Sequence, residues 1–468
     1  MTQFKSMRLA KGLRFGIICI LIHISQTCAA QTLNLYDAVN RTLTNYPAIK
    51  QRQAEVAAGK AHITTVNDYR LPSLKLMDEV NAGTANSLPG PYFPMGMIPS
   101  TSGSIRSSNK NDLASGNIAI SYLDWPIYTF GYYNAIKKNA EAQLATTEAI
   151  LNSDTYLLTQ NVVLLYLDWL KKYKLLRIES ENLNRAKTIL NAITATVRGG
   201  LKPGVDSSTA IAEYSKDRIS YLQALNNYNY DRISMASYTG IDTTQITPDT
   251  AITQNLILQV NVAAMDSVAS NHPLLDIYRK QYEQQLSENK AITRRYLPKL
   301  SLEGAGWMRG SSIGNNDMYA SDISNGLAYS RYNYLLGVTL SYNLFDLKHR
   351  HDEVAEGKYL AKARQEALQG QELSLNASLQ QVNASYANTT DKLRELPNEL
   401  QSARMAYGQQ MALYKAGLNT LIDVTNSLYV LKQTETDLVL TQDDLLQLLY
   451  MRAGLSNQLD LFFQNFKK

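Results

Sequence analysis

The chain has 468 residues, 45% hydrophobic and 19% charged, with 46 Lys and Arg against 41 Asp and Glu and only two cysteines. Lys5, Arg8, Lys11 and Arg14 precede the apolar run Phe15 to Ile24, and Ala30 offers a small residue before Gln31; this order is a secretory signal peptide over residues 1–30, because the run is far shorter than the roughly 20 residues that span a bilayer as a helix. Its removal takes both cysteines, Cys19 and Cys28, and leaves 42 basic against 41 acidic residues, so the charge balance carries no nucleic-acid signal and disulfides, thiol catalysis and cysteine metal sites are excluded.

A lipidated Cys28 is the alternative end of the leader, although Ser25-Gln26-Thr27 lacks the usual aliphatic and small residues before it. The mature chain then opens on a helix in which Ile49, Val56 and Ile63 recur every seven residues. It stops at Leu71-Pro72, where proline forbids helix and starts an extended segment, predicting a strand near 72–82. A polar loop rich in Gly, Ser, Asn and Pro leads to a second strand near 117–128. There Ile118, Ile120 and Tyr122 alternate and the phase then moves to Leu123, Trp125 and Ile127, which predicts a bulge near Asp124. A long helical hairpin follows, broken at a tip near 198–207 by Gly199, Gly200, Pro203 and Gly204.

The order then repeats. Asn45 to Leu74 aligns with Asn271 to Leu300 without a gap at an offset of 226, and Leu123, Gly200 and Asp206 match Leu340, Gly417 and Asp423 at an offset of 217. One duplication explains both offsets, with a first repeat over 31–245 and a second over 246–468. The second has its own Leu-Pro entry at Pro298, strands expected near 298–308 and 333–345, and a hairpin tip near 414–424 that contains Gly417. In its last strand Tyr334, Leu336, Val338, Leu340, Tyr342 and Leu344 alternate with small or polar residues. Such a strand suits a lipid-facing wall, with Tyr334, Tyr342 and Trp125 as its aromatic girdle. Four strands are too few to close a transmembrane barrel, so the chain is expected to share one with other copies. After the second tip, Leu421, Val424, Leu428, Leu431, Leu438, Leu445 and Leu449 keep a spacing near 3.5, the seam of a coiled coil.

Chemistry has little support. His349 and His351 form an isolated His-x-His, and Gly304 to Gly310 superficially matches a phosphate loop but lies along a predicted strand. No catalytic, cofactor or metal residues are assigned, and no enzyme activity is expected. A non-channel periplasmic coiled-coil adaptor or scaffold would share the helices but would have no use for the alternating strands.

The chain resembles the TolC-like family of outer-membrane efflux and secretion channels over essentially its whole mature length. The resemblance is carried by "LNLYDAVNRTLTNYP", the two Leu-Pro strand entries, "YKAGLNTLIDV" with its echo "RGGLKPGVDS", and "LLYMRAGLSNQL". It implies an α+β membrane protein. A homotrimer would form a 12-stranded transmembrane β-barrel, four strands per chain, continued by a long periplasmic α-helical coiled-coil barrel. It also implies an exit duct of a tripartite efflux pump, or alternatively the outer-membrane component of type I secretion. The implied partners are outer-membrane lipid, a periplasmic adaptor and an inner-membrane transporter of RND or ABC type. At the tip, Tyr414 occupies the position of a gate tyrosine and Asp206 that of its acidic partner. Asn419 stands where the family's gate arginine would be, so that ionic link is missing. Asp423 matches one constriction-lining aspartate and Asn426 the place of the other. From the residues alone, Asp206 and Asp423 read equally as caps of returning helices.

Overall fold

The computed structural model describes residues 31–86, 108–200, 203–243, 246–250, 267–314, 318–320, 322–464 and 466. The expected signal peptide over residues 1–30, with Cys28, and most of the first polar loop lie outside them. In chain order the elements are β1 Gln31–Leu33, α1 Leu35–Asn45, α2 Pro47–Asp68, β2 Ser73–Gly83, β3 Ala114–Tyr128, α3 Tyr132–Arg198 and α4 Gly204–Thr239. They continue with β4 Ile246–Pro248, α5 Pro273–Arg295, β5 Lys299–Ser311, β6 Arg331–Ser341, α6 Asp346–Lys415, α7 Leu421–Leu455 and α8 Leu459–Gln464. Among the described residues no helix is long and apolar enough to cross a membrane.

The chain divides into two units, one of residues 1–55, 148–278 and 367–468, the other of residues 56–147 and 279–366. The first is helical around one large core. Asn34 caps α1 by accepting from the Asp37 N–H at 2.7 Å, and the short parallel ladder between β1 and β4 runs beside it. The Tyr166 hydroxyl donates to the Leu33 carbonyl (2.7 Å) and accepts from the Asp249 N–H (3.1 Å), tying that ladder to α3. Trp169 stacks on Tyr228 of α4, and Leu449 and Tyr450 of α7 join Phe462 of α8 in the same apolar cluster. Burial on this scale, at about 25 cal/mol per Å² of apolar surface, is what holds helices whose own faces are mostly polar.

Along α7 the expected seam is buried at Leu421, Val424, Leu428, Leu431, Leu445 and Leu449, while Leu438 is only half-buried. Between these stretches the buried positions are polar: Thr434, Glu435, Gln442 and Asp443. Each charge there has a partner. Arg185 of α3 grips Glu435 through two hydrogen bonds of 3.1 Å, and Lys171 reaches Asp443 at 3.0 Å. Lys172 bridges Asp168 and Asp231 at 2.8 Å each.

The second unit carries a four-stranded antiparallel sheet in the order β2-β3-β5-β6. Because directly opposed residues share a face, the register sorts the side chains. One face carries Leu74, Leu76, Val80, Leu123, Trp125, Leu302, Leu336, Val338 and Leu340, and the other Lys75, Glu79, Asp124, Glu303, Arg309, Arg331 and Thr339. The strand β2 is exposed along its whole length and β6 nearly so, and both lie at the edges of the sheet.

Two expectations for the strands need correction. The β3 register passes Asp124 without interruption, pairing it with Ser73 and Glu303, and the irregularity falls at Ile127 between Pro126 and Tyr128. Pro126 has no N–H to give the ladder, so the extra residue is accommodated beside it. The phase change instead puts Ile118, Ile120 and Tyr122 on the polar face, next to Met77 and Trp307. The last strand ends at Ser341, not near 345, because Asn343 starts the turn into α6: its side chain accepts from the Phe345 N–H (3.2 Å) and donates to Asp346 (3.0 Å).

Pro72 and Pro298 immediately precede β2 and β5. At the opposite end of the sheet, the segment before β6 folds back over the strands. The Tyr329 hydroxyl donates to Asp78 (2.9 Å) and the Asn117 amide to the Leu327 carbonyl (3.1 Å). Gly310 is required there, since a Cβ would collide with the Ala328 carbonyl. Gly304 and Gly310 thus sit within a strand, as their place in the sequence suggested.

Candidate functional site

The candidate site is the pair of helical turns in the first unit. At the second turn α6 closes with a left-handed glycine: Gly417 has φ +74°, its N–H donates to the Tyr414 carbonyl (3.0 Å) and the Leu418 N–H to the Leu413 carbonyl (2.9 Å). This is a Schellman closure, which only glycine enters without strain and which satisfies the last carbonyls of the helix. Three residues later Thr420 caps α7. Its hydroxyl accepts from the Asp423 N–H at 3.3 Å, while the Asp423 carboxylate accepts from the Thr420 N–H (2.9 Å) and hydroxyl (2.6 Å). The Thr420 hydroxyl, and then its N–H, hold the exposed Asp423 carboxyl below its ordinary range. Asn419 turns back on α6, its amide donating to both the carbonyl (3.1 Å) and side-chain oxygen (2.6 Å) of Gln410.

At the first turn Gly199 and Gly200 end α3, with Gly200 at φ +71°. Residues 201–202 lie outside the described chain. Pro203 occupies the cap position of α4 without a side-chain bond, Gly204 begins the helix, and Asp206 is its third residue. Asp206 and Asp423 therefore hold equivalent places, but among the described residues only Asp423 has a hydroxyl partner, because proline stands where Thr420 stands in the other turn. Asp206 still sits where backbone N–H groups and the helix dipole favour a carboxylate.

The two turns share a small core of Ile189, Ile193, Ala210, Leu421, Val424 and Leu428, against which Tyr407, Met411 and Tyr414 pack. Burial raises the Tyr414 hydroxyl above its ordinary range and the nearby Asp206 carboxylate adds to the shift, so these two residues from different turns are in electrostatic reach. Asp423 and Asn426 line one shallow cavity of about 330 Å³ with Gln410 and Ser427. Asn426 also lines a second, of about 330 Å³, with Lys216, Asp217 and Lys432.

Elsewhere, Tyr334 is 85% exposed on β6, Trp125 donates its indole N–H to the Arg70 carbonyl (3.0 Å), and Tyr342 lies one residue past β6. His351 faces Asp352 at 3.2 Å, and among the described residues no group of three or more His, Cys, Asp or Glu could hold a metal ion. Sequence reasoning missed the buried ion pairs. Asp168 with Lys171 and Lys172 was visible as helical spacing, but the reach to Asp231 and Asp443 has no local signature.

The family model for outer membrane efflux proteins matches residues 38–241 and 264–450. No curated protein matches the chain. Among solved structures, the chain shares its fold with the outer-membrane channel OprN (16% identity, 91% of this chain and 90% of that one, TM-score 0.70). It likewise matches the outer membrane protein VceC from Vibrio cholerae (13%, 90% and 96%, 0.70) and the CmeC outer membrane channel of Campylobacter jejuni (14%, 93% and 89%, 0.69).

Proposed function

Because the chain belongs to the outer membrane efflux protein family, we propose that it is the outer-membrane exit duct of a tripartite efflux pump, passing small molecules outward without chemistry. The observation that carries this reading is the sheet. Four strands leave β2 and β6 with unpaired edges, and one face is apolar and exposed, with Leu76 at 76%, Leu336 at 69% and Leu340 at 66%. Open edges and an uncovered apolar face are liabilities for a monomer in water and are both resolved by closing a barrel in lipid. Three copies supply twelve strands, with β6 of one chain beside β2 of the next, the polar face lining the lumen and the aromatic side chains of Trp125, Tyr334 and Tyr342 near the interfaces.

In this reading residues 31–245 and 246–468 are two structural repeats of one ancestral unit. The helices form the periplasmic tunnel, which docks a periplasmic adaptor and, through it, an inner-membrane transporter of RND or ABC type. The paired turns close the periplasmic end. Tyr414 near Asp206 acts as the latch, Asn419 replaces an ionic lock with a local bond to Gln410, and three Asp423 carboxylates make a cation-favouring constriction. Solution mass and single-channel recording of the purified protein test this: a trimer with unitary conductance is expected, and a silent, detergent-independent monomer would overturn it.

A further inference from the structure

The two arginines of the sheet, Arg309 and Arg331, stand together on its polar face. On the polar face the last row that crosses all four strands before the β5–β6 connection reads Glu79, Ile118, Arg309, Arg331, successive Cα partners across β2, β3, β5 and β6. Three rows nearer the helices it reads Ser73, Asp124, Glu303, Gly337. The six residue steps from Glu303 to Arg309 separate the two rows by about 20 Å.

Arg309 and Arg331 stand directly opposite one another, where Cβ atoms are about 5 Å apart and like charges repel. Both are exposed, and among the described residues neither forms an ion pair. Among the described residues the Arg331 side chain donates only to the adjacent Ser330 carbonyl (2.8 Å). The one carboxylate of the row, Glu79, lies two strands from Arg309, roughly 10 Å away, and accepts from the Asn81 amide (2.7 Å). The fold therefore holds two guanidinium groups side by side without neutralising them, at the end of the strands away from the helices.

We infer that Arg309 and Arg331 set the charge preference of the outer mouth, drawing anionic permeants such as chloride, carboxylates and phosphates through the exit. The inference rests on the channel reading above, in which this face lines the lumen. Three-fold repetition then puts six guanidinium groups against three Glu79 carboxylates around one ring, and a ring of arginines in a low-dielectric wall concentrates anions. The acidic row of Asp124 and Glu303 lies deeper, with Lys75 one row and Lys299 two rows away on the same face, so the inner part of the wall is of mixed sign and the uncompensated positive charge lies at the outer end.

Reversal potentials in a KCl gradient across planar bilayers, with the purified full mature chain, test the assignment. Neutralising both arginines (R309Q with R331Q) raises the K⁺/Cl⁻ permeability ratio at least about twofold, the lysine pair (R309K with R331K) preserves it, and Glu79→Gln shifts it the opposite way. Conducting glutamine-pair channels with an unchanged ratio overturn the inference while leaving the channel reading intact. If the glutamine pair fails to insert, Glu79→Gln decides alone: a shift toward anions supports the ring and no shift refutes it. A wild-type protein that never conducts removes the channel premise, and the inference falls with it.

Discussion

Lys174 lies on α3 in the helical unit, where burial pushes its ammonium down to about 8 against the opposing pull of Asp443. A lysine in the unfolded chain titrates near 10.4. Between these values the unfolded chain binds a proton that the folded chain does not, so stability rises with pH from about 8 to about 10.4. Below about 8 the folded state carries the whole cost of the buried charge. A gap of about 2 to 2.5 units corresponds to at most about 3 kcal/mol. Lys174→Met keeps an unbranched side chain in the same space and removes the charge. At pH 7 the variant should be more stable by about 2 to 3 kcal/mol, and the advantage should fade by about pH 10.5. Denaturant midpoints of both proteins across pH 6 to 11 measure it. The difference between them is the informative quantity, since Tyr156, raised to about 12 by burial, and the other buried tyrosines lower stability at high pH in both. A difference that stays constant from pH 7 to 10.5, or a destabilised Lys174→Met, would refute the reasoning.

Arg185→Met leaves Glu435, only 7% exposed, with Arg404 at 3.7 Å as its remaining cation; with Arg185 itself partly solvated, the loss should be about 2 to 4 kcal/mol. Pairing it with Glu435→Leu should return stability to within about 1 kcal/mol of wild type, which a double-mutant cycle on the melting curves resolves. Thr420→Ala should cost about 1 kcal/mol of cap energy and show as faster hydrogen exchange over residues 421–424. Because the Asp423 carboxyl is depressed in the folded state, its stabilisation is present above the ordinary carboxylate range and lost as pH falls through the depressed value; the variant keeps the backbone N–H at residue 420 but not the hydroxyl, so it should lose the larger part of that acid sensitivity. Tyr414→Phe keeps the packing on the small core shared by the two turns and removes the hydroxyl near Asp206; it should raise the open fraction in a planar bilayer, and unchanged gating would count against a latch.

The legible parts of the fold were those where one physical demand acts on neighbouring residues. Tyr334, Leu336, Val338 and Leu340 could be read as one face because an edge strand with one apolar side leaves an unbroken alternation. Likewise Gly417 and Asp423 announce a helix end and a helix start within seven residues, and the structure fills each with its hydrogen bonds and adds Thr420 as the cap. Alternation failed in β3, where Ile118, Ile120 and Tyr122 occupy the polar face beside Met77 and Trp307. A polar face with apolar rows gives the same pattern as a register slip, and only the partner strands tell them apart. The paired carboxylates were no easier. Asp231 and Asp443 read as solvated helix positions until Lys172 and Lys171, some sixty and two hundred and seventy residues away in the chain, are placed beside them. The charged rows of the sheet were hidden for the same reason, since the Arg309–Arg331 opposition exists only in the register of β5 with β6.

Single-channel recording on the purified protein bears most directly on the claim that this chain forms a shared membrane duct. Long-lived unitary conductance steps at nanomolar protein, abolished by unfolding, are expected of a closed barrel built from several copies. Protein that stays soluble without detergent and adds no current to the bilayer at any concentration would contradict it.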